Sequence, residues 1–127
     1  MESLTYATTI PFVPPVEIGK VIKVFDWDTI TLGAILLNKA YRFSVRLRGI
    51  DTPEMKGGSP HEKELAIKAR DELSKRILNK IVTLKNIETE KYGRILADVY
   101  LEDECMNEWL ITEGFAKKYD GGHKESW

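Results

Sequence analysis
The chain has 127 residues, 43% hydrophobic and 31% charged, with a formal net charge of −1. This balance fits one globular domain with one core and excludes a disordered chain. The near-neutral charge argues against a surface that is basic throughout, as many nucleic-acid binders are, but leaves room for a local basic patch.

Residues 1–18 read as an extended N-terminal arm carrying Pro11, Pro14 and Pro15, and residues 19–127 as a single domain. The opening MESLTYATTIPFVPP has neither a basic n-region nor an apolar stretch of signal-peptide length. No run approaches the roughly 20 apolar residues of a transmembrane helix, so no membrane partner is expected. Cys105 is the single cysteine and can form no internal disulfide. A cytoplasmic monomer is the expectation, with secretion following only if a leader has been removed.

VIKVFD (21–26) is rich in β-branched and aromatic residues and reads as a strand. TITLGAILL (29–37) follows after an acidic turn, and Asn38-Lys39 marks the next turn. YRFSVRLR (41–48) alternates without a slip, putting Tyr41, Phe43, Val45 and Leu47 on a core face and Arg42, Ser44, Arg46 and Arg48 on the other. Gly57, Gly58, Ser59 and Pro60 mark a loop and a helix start, with Ser59 as N-cap and Glu62 in the first turn. The helix over 62–80 places Ala66, Ala69, Leu73 and Ile77 on one stripe. IVTLKNIE (81–88) and RILADVYLE (94–102) are two further strands, and ECMNEWLITEG (104–114) is a second helix ended by Gly114. Five strands with a helix between the third and fourth give the element order of an OB-fold. The expected class is therefore α+β: a five-stranded OB-fold β-barrel with two or three helices. Fold does not fix function, so the site has to be argued from its residues.

Three polar elements stand out. FDWDT (25–29) puts Asp26 and Asp28 in the first β-turn, where Asp is also an ordinary turn former. It is no EF-hand loop, because Ile30 stands where a third oxygen ligand belongs. RLRGIDTPE (46–54) runs from the arginine-bearing strand through Gly49 into Asp51 and Glu54. An arginine beside a carboxylate can be a plain ion pair, or half of a phosphate site whose other half is a metal. EKYGR (90–94) precedes the last strand with Lys91, Tyr92 and Arg94, and reads either as a charged hairpin turn or as a phosphate-binding element. His61 and His123 have no partner at metal-ligand spacing. Cys105, Trp109 and Phe115 read as packing residues.

Taken in order, D-x-D-T, then Arg46 five residues before the Asp of DTPE, then KYGR, the sequence resembles the staphylococcal nuclease (thermonuclease) family from about Val21 to Ala116. Asn107-Glu108 matches that family's Asn-Glu pair in the helix after the last strand. The resemblance implies that Asp28, Asp51 and the carbonyl of Thr52 ligate Ca²⁺ and that Glu54 is the general base. It implies that Arg46 and Arg94 bind the scissile phosphate and that Lys91 and Tyr92 line the substrate site. DNA and RNA are then the substrates, cut on the 5′ side of the phosphorus to leave 3′-phosphates.

The departures are Trp27 where the family usually has Gly, a near-neutral charge, and little chain left for a third C-terminal helix. Trp27 is expected to cover the barrel end. Tyr119 lies near a substrate-contacting Tyr of the family, but the alignment slips there. The rival readings are a family domain that binds nucleic acid without cutting it, and an oligonucleotide-binding barrel with no nuclease kinship. Intact Asp28, Asp51 and Glu54 argue against the first.

Overall fold
The computed structural model describes residues 1–51, 59–90 and 93–118, with Asp51 and Lys118 described by their backbone alone. Strands β1 (Ile18–Val24), β2 (Thr29–Leu36) and β3 (Lys39–Leu47) form the expected meander. β2 and β3 pair from Thr29↔Arg46 to Leu36↔Lys39. Their turn is Leu37-Asn38, one residue earlier than the sequence suggests, with φ of 53° and 65°. Positive φ at both centres is what a type I′ hairpin turn, matched to strand twist, requires.

Gly49, at φ 75°, reverses the chain into the two-residue β4 (Ile50–Asp51), which pairs with β8 (Lys117–Lys118). Helix α1 (Pro60–Ile77) starts as expected: Ser59 Oγ accepts from the Glu62 N–H at 3.2 Å. Its buried stripe is Ala66, Ala69, Leu73 and Ile77. It ends at Ile77 rather than running to residue 80, because Asn79 takes φ 65° and turns the chain into β5 (Ile81–Thr89). β6 (Ile95–Leu101) follows, then β7 (Glu104–Cys105) and α2 (Met106–Thr112). Residues 104–105, read from sequence as the first part of that helix, instead pair back on β6.

β1 pairs with both β2 and β5, and β5 with β6. A parallel pairing of β3 with β6, Val45↔Ile95 to Leu47↔Ala97, closes the five strands into a barrel. The structure is the expected α+β OB-type barrel with two helices among the described residues. Val21, Ile30, Leu32, Val45, Leu47, Leu84 and Val99 fill the interior, with Leu73 and Ile77 of α1 and Met106 and Leu110 of α2 packed against them. Val16 also joins this core, and the Glu17 carbonyl accepts from the Leu84 N–H.

β3 departs from its sequence reading in one respect. Only Val45 and Leu47 are core; Phe43 is half-buried and Tyr41 exposed. The pairing with β6 begins at Val45, so the first half of β3 pairs with β2 alone and extends past the barrel. Trp27 is buried against Ala66 and Ala69 of α1, with Phe115 alongside. Among the described residues no helix is long and apolar enough to cross a membrane.

Candidate active site
The turn between β1 and β2 is held by its own backbone. The N–H groups of Phe25 and Asp26 both donate to the Thr29 carbonyl, at 3.1 and 3.0 Å. The Asp28 carbonyl in turn accepts from the Leu47 N–H at 2.8 Å, fixing the turn to the end of β3. This places the Asp28 carboxylate beside Arg46, whose position in β3 is directly across from Thr29.

Arg46 is half-buried, not solvated. Its Nε lies 3.5 Å from Asp28 Oδ2, Nη1 donates to the Leu47 carbonyl at 2.5 Å, and Nη2 donates to the Ile50 carbonyl at 3.1 Å. One planar guanidinium therefore joins the first turn to the residue preceding Asp51. The other arginines of β3 and its end go elsewhere. Arg48 donates to the Asn86 carbonyl at 3.0 Å, and Arg42 is exposed.

Arg94 arrives from the opposite side. Gly93, at φ 88°, lets the chain turn tightly enough for its N–H to reach the Glu90 carbonyl, while the Glu90 N–H donates to the Arg94 carbonyl. The Glu90 carboxylate then accepts from Arg94 Nε at 2.5 Å and from Nη2 at 3.1 Å. Nη1 is left facing Thr29 Oγ1 at 3.4 Å. The Thr29 hydroxyl donates to Asp28 Oδ1 at 3.0 Å. A continuous chain thus runs Arg46, Asp28, Thr29, Arg94, Glu90. The hydrogen bonds Arg94 donates to Glu90 raise its pKa further; burial opposes this, and the negative charges of Glu90 and Asp28 reinforce it. Arg94 is a permanent cation.

Phe25, Asp26, Asp28, Thr29, Thr31, Ser44 and Arg94 line an open cavity of about 340 Å³. Asp28, Arg46 and Arg94, far apart in sequence, are brought together at its side. The backbone of Asp51 is tethered by the Arg46–Ile50 bond and by pairing with Lys117. The Asp51 side chain, Thr52, Glu54, Lys91, Tyr92, Tyr119 and His123 lie outside the described residues.

Among the described residues no group of three or more His, Cys, Asp or Glu side chains is arranged to hold a metal. Among the described residues the donors at this end of the barrel are oxygens. Asp28 has its carboxylate 21% exposed, and the Ile50 carbonyl precedes a further carboxylate residue. Cys105 is buried at the start of α2, and His61 sits in the first turn of α1. An all-oxygen, partly solvated donor set suits a hard cation with a flexible shell and does not suit zinc.

Two side chains gain their importance only in the fold. Glu90 is signalled in sequence only as an acid four residues before Arg94 across a Gly-containing turn. Asn107 is marked in sequence only by the family's Asn-Glu pair. It is 4% exposed and ties three segments together: Oδ1 accepts from the Val99 N–H at 3.0 Å, and Nδ2 donates to the Arg48 carbonyl at 2.8 Å and the Ala97 carbonyl at 3.3 Å. It thereby fixes α2 to the strand ends that carry the site.

A family model described as "Staphylococcal nuclease homologue" matches residues 44–126. The chain is similar to the thermonuclease of Staphylococcus hyicus, 36% identical over 100 residues, covering 77% of this chain and 57% of that protein. It is similar to an uncharacterized endonuclease of Escherichia coli, 32% identical over 103 residues, covering 80% and 61%. It is also 35% identical over 80 residues to the staphylococcal-like nuclease CAN1 of Arabidopsis thaliana, covering 63% and 23%. The chain spans less than two thirds of the length of each of these relatives.

Proposed function
This chain belongs to the family of staphylococcal nuclease homologues, and we propose that it is a Ca²⁺-dependent endonuclease that hydrolyses phosphodiester bonds of DNA and RNA. The observation that carries this reading is the convergence of Arg46 and Arg94 on the Asp28–Thr29 corner. Two guanidiniums beside one carboxylate, at the mouth of an open cavity, suit a phosphodiester better than a neutral ligand.

A phosphate at this corner meets Arg94 Nη1 from one strand and Arg46 from another. Attack on phosphorus gathers negative charge on the equatorial oxygens, and two fixed cations lower the energy of that arrangement more than that of the ground state. Glu54 takes the proton of the attacking water as the new P–O bond forms. The bond to the 5′ oxygen breaks with its electron pair going to that oxygen, which takes a proton from solvent and leaves as a 5′-hydroxyl, while the other product keeps a 3′-phosphate. Lys91 and Tyr92 contact the flanking substrate. Asp28, Asp51 and the Thr52 carbonyl would hold Ca²⁺. Bound there, the ion supplies further positive charge beside the phosphate oxygens. So few carboxylates give modest affinity for the ion. A net charge of −1 leaves little non-specific attraction for nucleic acid. Single-stranded regions are the preferred substrate, because a groove on a small barrel accommodates one strand best.

The test is cleavage of heat-denatured DNA and of RNA, with Ca²⁺ and with a chelator, beside a Glu54→Gln variant. Cleavage that requires both Ca²⁺ and Glu54 is expected. A folded chain that binds DNA and leaves it intact under all conditions would make this a binding domain that has kept its acids.

A further inference from the structure
We propose that the cavity beside Arg94 is a nucleotide subsite in which Phe25 stacks on an unpaired base flanking the cleaved phosphate; this rests on the nuclease reading above. The argument begins with the exposure of Phe25. Its ring is 59% exposed although it follows β1 directly. A single exposed apolar side chain is ordinary on a protein surface. This one is distinguished by what shares its cavity. Arg94, Asp28 and Thr29 line the same space. One cavity is therefore lined both by an aromatic ring and by a corner suited to phosphate, as a nucleotide has a base and a phosphate. Its volume of about 340 Å³ lies within the range of small-ligand pockets.

The ring is mounted on a rigid support. The Phe25 N–H and its neighbour's N–H are both bonded to the Thr29 carbonyl, so the turn that carries the ring also carries the Asp28 corner. The distance between stacking surface and phosphate site is set by a single turn. The same cavity is lined by Thr31 and Ser44, opposite each other in the β2–β3 register. Hydroxyls both donate and accept, so they can serve the sugar or the edge of any base without selecting one. Lys23 Nζ stands over the ring, 5.5 Å from its centre, and adds positive charge beside it, which leaves the other face of the ring for a base.

Stacking on an aromatic face is tolerant of base identity but needs the base out of a duplex. The subsite thus gives a physical basis for a single-strand preference in a chain of near-neutral net charge: part of the binding free energy comes from bases rather than phosphates.

The test measures binding in the presence of a chelator at low salt, so that nothing is cut. Fluorescence anisotropy compares a short single-stranded oligothymidylate with a strand of equal length made of abasic tetrahydrofuran units. The proteins are the full chain, Phe25→Ala and Phe25→Tyr, each checked for native circular dichroism. The wild type should prefer the base-bearing strand, and Phe25→Ala should lose about tenfold of that preference, the scale of one stacked base. Affinity for the abasic strand should stay unchanged in Phe25→Ala, and Phe25→Tyr should restore the preference. A Phe25→Ala chain that binds both strands as the wild type does overturns the subsite while leaving the nuclease reading intact. A wild-type chain that neither binds the strands nor cuts DNA with Ca²⁺ overturns both.

Discussion
Glu90 holds Arg94 by two nearly parallel hydrogen bonds, Nε to Oε1 at 2.5 Å and Nη2 to Oε2 at 3.1 Å, across the turn that Gly93 closes. This fork-to-fork contact fixes the guanidinium plane and leaves Nη1 directed at Thr29. It also sets a negative charge against the cation that a phosphate must use. The two effects oppose each other, and positioning is the larger of the two in catalysis. Glu90→Ala should lower kcat about ten- to a hundredfold, because a misplaced guanidinium loses the transition-state geometry. KM should stay level or fall, because a repelling charge has gone. Steady-state kinetics on denatured DNA separates the two parameters. A rise in KM with kcat unchanged would show that Glu90 does not position Arg94.

Arg46 and Arg94 should respond differently to the same substitution. Arg94→Ala should cost about 3 kcal/mol of transition-state stabilisation, the scale of one oxyanion donor. It should cost little in folding, because the pair with Glu90 is partly solvated. Arg46→Ala should lose comparable activity and also about 1–2 kcal/mol of stability, because its guanidinium bridges Asp28 and the carbonyls of Leu47 and Ile50. Lysine has no planar fork, so Arg46→Lys should rescue neither property. Urea titrations beside kcat/KM give both readings.

Ca²⁺ should stabilise the fold without any substrate present. A ligand bound only by the native state at ten times its Kd adds about 1.4 kcal/mol. Thermal unfolding with and without Ca²⁺ should show the shift in the wild type and its loss in Asp28→Asn. An equal shift in that variant would remove Asp28 from the ligand set.

Trp27 should matter to stability far more than to chemistry. It is buried against Ala66 and Ala69 of α1 and Phe115 rather than presented to the cavity. Trp27→Ala should cost about 3 kcal/mol or more through the void it leaves. Urea unfolding followed by circular dichroism measures that cost. Trp27→Ala with unaltered unfolding would mean that the indole does not hold α1 to the barrel.

Much of this protein is legible in local sequence. The alternation of 41–48, the Ser59-Pro60 start and the stripe from Ala66 to Ile77 follow from backbone periods and capping, which act over a few residues. The order of the DWDT, DTPE and KYGR elements marks the family without reference to the fold. Tertiary structure decided what those signals leave open. Alternation tells which way Arg42, Arg46 and Arg48 point, but not that one is exposed, one binds Asp28 and one binds Asn86. Nor does it tell that Tyr41 lies beyond the barrel while Val45 lies within it. Both depend on where β6 comes alongside β3, a pairing between segments about 50 residues apart. A side chain's partner is set by what the closed barrel brings within a few ångströms, and no local period encodes that distance.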